Sequence, residues 1–368
     1  MKLEKGEITN SQLTILIVSF LQGMILTVNF TYALTRQGSW IAAATGFVIS
    51  IPIACLHTFI AKRFPGQNLI QINDAVFGRY LGKIFSACYI WFFFQLVIHY
   101  MYFFNSFWIT YIMPETPRVA FLFMLAFVCA MAVRKGLEVI ARCSLFFAVM
   151  VAAMVVFVTA LLTGEMNPSN LLPMADFSAG TFIQSVHIAV SIFFCDIVVF
   201  LMIFPYTTDK LKITKPVLTG MGLSALQLVV VALRDAAVLG LRLPIVTLVS
   251  FAVSRLINIA NILTRLDILI AITLLITFFI KITVFYYVTV LSIAQVLKLR
   301  SYLPLVVPIG ALCIAIASNL YESDMAQVYA GAYVWPFNAV VYEVLLPLVT
   351  FVVIGVRKLP KKEGAPAK

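Results

Sequence analysis

DILIAITLLITFFIKITVFYYVTVLSIAQVL, residues 267–297, decides the class of fold. Between Asp267 and Lys298 it carries one charged side chain, Lys281. A helix rises about 1.5 Å per residue, and about 20 apolar residues cross the hydrocarbon core of a bilayer, so this run spans one with residues to spare. A Lys or Asp at the centre of such a helix costs roughly 2.5–3.5 kcal/mol on insertion scales and is usually found facing a partner or a water-filled cavity. Asp196 and Glu343 stand in the same position in two other apolar stretches, each ten or more residues from the nearest other Asp, Glu, Lys or Arg. These three residues mark where function is to be sought.

The rest of the chain agrees. Of its 368 residues 62% are hydrophobic and only 11% charged, where about 25% charged is usual for a soluble domain, and the mean hydropathy is +1.04. About ten spans fit, at roughly 11–34, 40–61, 84–108, 118–133, 143–163, 179–204, 216–239, 266–292, 302–320 and 333–356. Short polar, Pro- or Gly-bearing joints separate them, and no linker is long or flexible enough to divide the chain, so a single membrane domain covers residues 1–368. With the N-terminus inside, 19 of the 26 basic residues fall on inner segments and six on outer ones, and Lys281 lies within the membrane. The positive-inside rule then puts both termini in the cytoplasm. The same bias accounts for the net charge of +11 without nucleic acid as a partner.

Two joints look structured. Leu69, Ile72, Val76 and Tyr80 recur at helical spacing, which predicts a short helix along the inner membrane surface. The outer stretch 244–264 predicts a helical hairpin. Glu138 and Arg142 have i, i+4 spacing for a local ion pair, and Arg265 and Asp267 mark the outer mouth of helix eight. The six cysteines lie singly, with neither disulfide nor metal spacing. With only His57, His99 and His187, and no nucleotide loop or triad-like motif, the sequence gives no sign of an enzyme or of a cofactor. The first apolar run is read as an uncleaved helix.

An odd number of spans per half makes the second half enter with opposite topology, which predicts a five-plus-five inverted repeat with first half 11–163, second half 179–356 and a cytoplasmic tail 357–368. Several motifs carry a resemblance that agrees. RFPGQNL (63–69) with GRYLGKIF (78–85), RKGLEVIARC (134–143), IFPYTTD (203–209), LPIVTLVSF (243–251) with ILTRLDILIAI (262–272), FIKITVFYYVTVLSIAQVL (279–297) and EVLLPLVTFVVIGVRK (343–358) together resemble the spore permease family, the B subunits of bacterial spore germinant receptors. That family is related to amino acid–polyamine–organocation transporters and has a LeuT-like fold. Two places depart from its pattern. Helix one reads QGMILTVN (22–29), with one glycine and Asn29 where the family has proline, and helix six has Cys195-Asp196 where an acidic Gly-x-Glu pattern is common.

The resemblance implies that helices one, three, six and eight converge on a central cavity. Gly23, Thr27 and Asn29 lie near the middle of helix one, Gln95 and His99 of helix three, Ser191 and Cys195 of helix six, and Thr277 of helix eight. Gly23, Thr27, Asn29, Gln95, Ser191, Cys195 and Thr277 are therefore the candidate ligand-binding residues, with free backbone groups and small hydroxyls holding the carboxylate and amine of a small polar ligand. The competing reading is that such residues bond only within or between helices. Asp196, Lys281 and Glu343 are candidates for ion or proton coupling, with Lys281 standing where sodium-coupled relatives bind an ion; a structural ion pair of Lys281 with Asp196 or Glu343 is the alternative. His99, on a Tyr-rich face, reads as a packing residue. The resemblance further implies a nutrient-sensing role, with an amino acid as ligand and the receptor's A and C subunits as partners in the spore inner membrane. Ion- or proton-coupled amino acid transport is the alternative function.

Overall fold

A computed structural model of the chain describes residues 4, 6–25, 29–246, 248–256 and 267–360, with Asn29 described in its backbone only. Among these residues the protein is almost wholly helical, and the only extended pairing is an isolated parallel bridge between Ile8 and Thr207.

The expected first helix is two helices, α1 (Asn10–Gln22) and α2 (Asn29–Thr35). A capping box at Thr9 starts α1, the Thr9 hydroxyl and the Gln12 side chain each bonding the other's backbone N–H. Then follow α3 (Ser39–Arg63), the surface helix α4 (Leu69–Phe77), α5 (Leu81–Tyr111), α6 (Arg118–Lys135) and α7 (Leu137–Leu161). A second capping box, at Asn68 with Gln71, starts α4, whose Leu69, Ile72 and Val76 are buried as expected; Tyr80, expected to continue the stripe, lies past the end of the helix at Gly78 and is exposed.

Then follows α8 (Ala179–Ile188), which passes without a break into a π segment, Ala189–Phe194, and then a 3-10 segment, Cys195–Met202. Next come α9 (Thr214–Leu239), α10 (Val249–Ser254), α11 (Asp267–Val296), α12 (Leu303–Ala317), α13 (Asp324–Tyr333) and α14 (Trp335–Val340). A second π segment, Val341–Leu345, joins α14 to α15 (Leu346–Val356). Of the expected outer hairpin only α10 falls within the described residues; 257–266 lies outside them.

Seven helices among the described residues are long and apolar enough to cross a membrane unaided, and α12 is a shorter apolar one. Ten spans is thus an approximate count, reached by joining α1 to α2 and by counting α6 and α12. The spans differ in how they are surrounded. Within the most apolar stretch, 94% of residues 179–202 are buried inside the protein and 67% of α11, against 28% of α7. The α8 line and α11 are therefore central, packed with α1, α3 and α5, while α6 and α7 turn Phe123, Phe127, Phe146 and Val149 outward. A belt of this kind suits hydrocarbon and would be a liability in water. The chain is an integral, multi-pass membrane protein.

Candidate functional site

Lys281 and Asp196 meet at the centre of the bundle. The Lys281 ammonium lies 2.8 Å from Asp196 Oδ2, and both side chains are within 1% of complete burial. Asp196 Oδ2 also accepts a 2.6 Å bond from the Tyr100 hydroxyl of α5. The ammonium sits 4.8 Å from the ring centres of both Phe20 and Tyr100, where the negative faces of the rings favour a cation.

Gly23 makes this arrangement possible. A Cβ at that position would stand 2.7 Å from Lys281 Cδ and 3.1 Å from its Cβ. The end of α1 is thus open by one methyl group, and the lysine stem passes through the gap.

Glu343 completes a buried cluster. It is fully buried, its carboxyl lies within hydrogen-bonding reach of the Asp196 carboxyl, with Lys281 a weaker neighbour, and neither of its oxygens accepts from a donor group. Asp196 Oδ1 is likewise without one. Both acids sit where regular α-helical bonding gives way: Asp196 at the junction of the π and 3-10 segments, Glu343 inside the second π segment. Such irregular turns re-aim side chains and free backbone groups, and they recur at functional sites. One freed group is the Glu343 carbonyl, which accepts a 2.8 Å bond from His57 Nε2 on α3. Because a carbonyl only accepts, His57 carries its proton on Nε2.

Beside this cluster lies a cavity of about 50 Å³ between the end of α1, α2, α5, the first π segment, α13 and α14. Its wall includes Met24, Leu96, His99, Tyr100, Ile192 and Trp335. Phe30, Phe103 and Gln327 separate it from a vestibule that reaches Asp324. There Asp324 accepts bonds from the hydroxyls of Ser106 and Thr110, tying α13 to α5.

The residues expected at the site fall into two sets. Gly23, Asp196, Lys281 and Glu343 come together. Ser191, Thr277 and Cys195 turn to local partners: Ser191 donates to the His187 carbonyl at 2.8 Å, Thr277 to the Leu274 carbonyl at 3.2 Å, and the Cys195 thiol lies 3.9 Å from Ser50 Oγ. Gln95 is next to the cavity wall, its side-chain oxygen buried without a partner. Asn29 begins α2, and Thr27 lies outside the described residues. The wall itself is formed one position along the same helices, by Met24, Leu96 and Ile192 beside Gly23, Gln95 and Ser191. His99 belongs to that wall rather than to plain packing.

Two further polar clusters escaped the sequence reading. Arg234 and Asp235, on α9, are buried and joined by two bonds of 2.8 and 2.6 Å to one carboxylate oxygen. The other oxygen accepts from Ser250 of α10 at 2.7 Å and from Tyr32 of α2 at 3.1 Å. At the opposite face, Glu4 accepts from the Tyr287 and Tyr302 hydroxyls at 3.1 and 3.2 Å and from the Leu137 N–H at 3.4 Å. An adjacent Arg-Asp pair inside an apolar helix was the available signal for the first. Nothing in the sequence pointed to the second. The Glu138–Arg142 pair forms as its spacing predicts. Asp267 at the mouth of α11 pairs with Arg255 at 3.3 Å, and Arg265 lies outside the described residues.

Comparison with known proteins adds the family. The model for the family described as "Spore germination protein" matches residues 7–324. Spore germination protein KB of Bacillus subtilis (strain 168) is 28% identical over 227 residues, which are 61% of this chain and 61% of that protein. Among solved structures, MhsT in complex with L-phenylalanine superposes with a TM-score of 0.64 at 13% identity, covering 95% of this chain and 99% of that one. A nucleobase-cation-symport-1 family transporter, closed with bromovinylhydantoin bound, gives 0.62 at 12% identity, covering 94% and 75%. A Na+-coupled sialic acid symporter gives 0.60 at 8%, covering 96% and 84%. At such identities the likeness is one of fold, the LeuT-like transporter fold.

Proposed function

Because the chain belongs to the spore germination protein family, we propose that it is the nutrient-sensing subunit of a spore germination receptor, taking a small molecule into the cavity beside Gly23 and Tyr100. Its family and fold are those of permeases and receptors rather than enzymes. The observation that carries the reading is the cavity itself: it lies where the first helix is interrupted and the sixth changes its hydrogen bonding, directly against the buried charge cluster. Gly23, Gln95 and Ser191 stand next to its wall residues in the chain, Asn29 begins α2, Cys195 lies against Ser50 of α3 and Thr277 bonds within α11, while Thr27 lies outside the described residues. In this reading the receptor's A and C subunits are the partners, the spore inner membrane is the location and both termini are cytoplasmic. An amino acid is the ligand class that the family resemblance implies.

Sensing would work by population shift. A ligand that fits the closed bundle better than the open one moves the equilibrium by its difference in affinity, and no more. Gly331 gives a direct test, since a Cβ there would stand 2.7 Å from the Phe30 ring at the cavity wall. Spores in which Gly331→Trp replaces the wild-type subunit, at equal protein level, should lose nutrient-triggered germination while still responding to a trigger that bypasses the receptors. A normal nutrient response would remove the cavity from the mechanism.

A second reading, ion- or proton-coupled transport, has its own support. The Lys281–Asp196 pair is neutral as a unit, which leaves Glu343 as an additional buried carboxyl beside it that no donor group satisfies. An ionised carboxylate in such a place costs several kcal/mol, so a proton or a cation is the natural companion of Glu343. Uptake of labelled substrate into proteoliposomes under an imposed pH gradient, lost in Glu343→Gln, would favour transport. A ligand that binds with no flux would favour sensing alone.

A further inference from the structure

We infer that the molecule taken up by the central cavity is an uncharged, ring-bearing compound that offers hydrogen-bond donors, rather than a zwitterionic amino acid. The inference rests on the cavity being the ligand site and concerns what that site can recognise. Among the described residues the wall contains no Asp, Glu, Lys or Arg. Behind Tyr100, Lys281 and Asp196 are fully buried and paired with each other, with Tyr100 and Phe20 packed over the ammonium and Glu343 beside them, and Asp324 stands beyond Phe30, Phe103 and Gln327; none of the four lines the space. A free carboxylate or ammonium entering here would give up its hydration without an opposite charge in the wall to meet, a cost of several kcal/mol.

The wall offers two other things. One is aromatic surface: Tyr100, Phe103, Tyr321 and Trp335 surround the space with His99, and His99 lies 4.4 Å from Trp335 between ring centres. Flat apolar faces of a ring compound stack on such groups. The other is a pair of uncommitted polar groups. His99 Nδ1 is 2.7 Å from the Gln95 carbonyl; the carbonyl only accepts, so Nδ1 bears the proton, and in the neutral imidazole Nε2 is left as an acceptor. Gln327 contributes an amide that can both donate and accept. A ligand N–H or O–H is what His99 lacks. The space is small, about 50 Å³, so entry requires side chains of the wall, Phe103 and Gln327 among them, to turn aside.

The test uses purified full-length protein in nanodiscs, with binding measured calorimetrically for uracil and D-glucose as neutral ring probes and for L-alanine and L-phenylalanine as zwitterions. The expected result is binding of a neutral probe, weakened about tenfold by His99→Leu, as loss of one hydrogen bond predicts, and nearly retained by His99→Gln, which restores an acceptor. Equal melting temperatures of the two variants would exclude misfolding as the cause. If only the amino acids bind, with Gly331→Trp abolishing that binding, the cavity reading stands and the inference about ligand chemistry is overturned. If no probe binds, or if Gly331→Trp leaves binding intact, both are overturned.

Discussion

Lys281 and Gly23 show how two residues far apart in sequence can require each other. The lysine stem fills the space that a side chain at position 23 would need. Gly23→Ala should therefore overpack the junction and destabilise the protein by about 1–3 kcal/mol, read as a lower melting temperature in detergent. The charge pair makes a stronger demand. Lys281→Met removes the cation and leaves Asp196 buried and uncompensated, a loss of about 3–5 kcal/mol, whereas Lys281→Met with Asp196→Asn should recover most of it. Additive losses in the double variant would mean that the two side chains do not act as a pair. Composition and spacing were enough to single out Asp196, Lys281 and Glu343, because an ionisable group in an apolar span needs a reason to be there. They did not decide between the two possible pairings of Lys281; that depends on helix rotation, which the two π segments alter locally. The cavity wall carries no such mark: it is mainly aromatic and aliphatic, and its Met24, Leu96 and Ile192 look in sequence like any other packing.

At the scale of elements, most spans were legible because 20-residue apolar runs leave few alternatives to a helix. What was not legible is where those helices deviate. The change to π and 3-10 bonding around Asp196 carries no proline or glycine between Ala189 and Met202 to announce it. Such a turn persists because side chains elsewhere satisfy the freed groups, and His57 does so for the Glu343 carbonyl. His57→Phe keeps a ring in place but removes the donor. It should cost about 1–3 kcal/mol through the unsatisfied carbonyl and speed amide hydrogen exchange at 341–346 relative to α5; unchanged exchange there would detach His57 from the π segment. The outer cluster is another such tie. Tyr32 of α2, Arg234 and Asp235 of α9 and Ser250 of α10 converge on one carboxylate, so α2 is fixed to the elements that flank it. Tyr32→Phe, losing one bond to a charged acceptor, should cost about 1.5–3 kcal/mol of stability, measurable by thermal melting.

Across the whole molecule, the two faces of the bundle are closed by different means. Toward the vestibule the closure is side chain on side chain, with Phe30, Phe103 and Gln327 over the cavity and Asp324 tied to α5. On the opposite face it is a strap. Ile8 donates its N–H to the Tyr206 carbonyl at 2.9 Å and accepts from the Thr208 N–H at 3.0 Å, and Glu4 is drawn in among Tyr287 of α11, Tyr302 and the first N–H of α7. A carboxylate at the N-terminal end of α7 is also favoured by the helix dipole. Four elements that would have to separate for this face to open thus meet at one N-terminal segment, which links the state of the bundle to a piece of chain at the membrane surface. Glu4→Ala removes the acceptor and leaves the rest of the strap held mainly by the Ile8 bridge, so the segment should come away more often. A reporter is available at Thr207, which is buried beneath it. With the native cysteines replaced by alanine and Thr207→Cys introduced, a membrane-impermeant maleimide should label the protein several-fold faster in the Glu4→Ala background than with Glu4 present. Tyr287→Phe, which removes one of the two hydroxyl donors, should give an intermediate rate. Equal rates in all three would mean that Glu4 does not hold the strap, and that opening at this face is limited by the packing of the helices themselves.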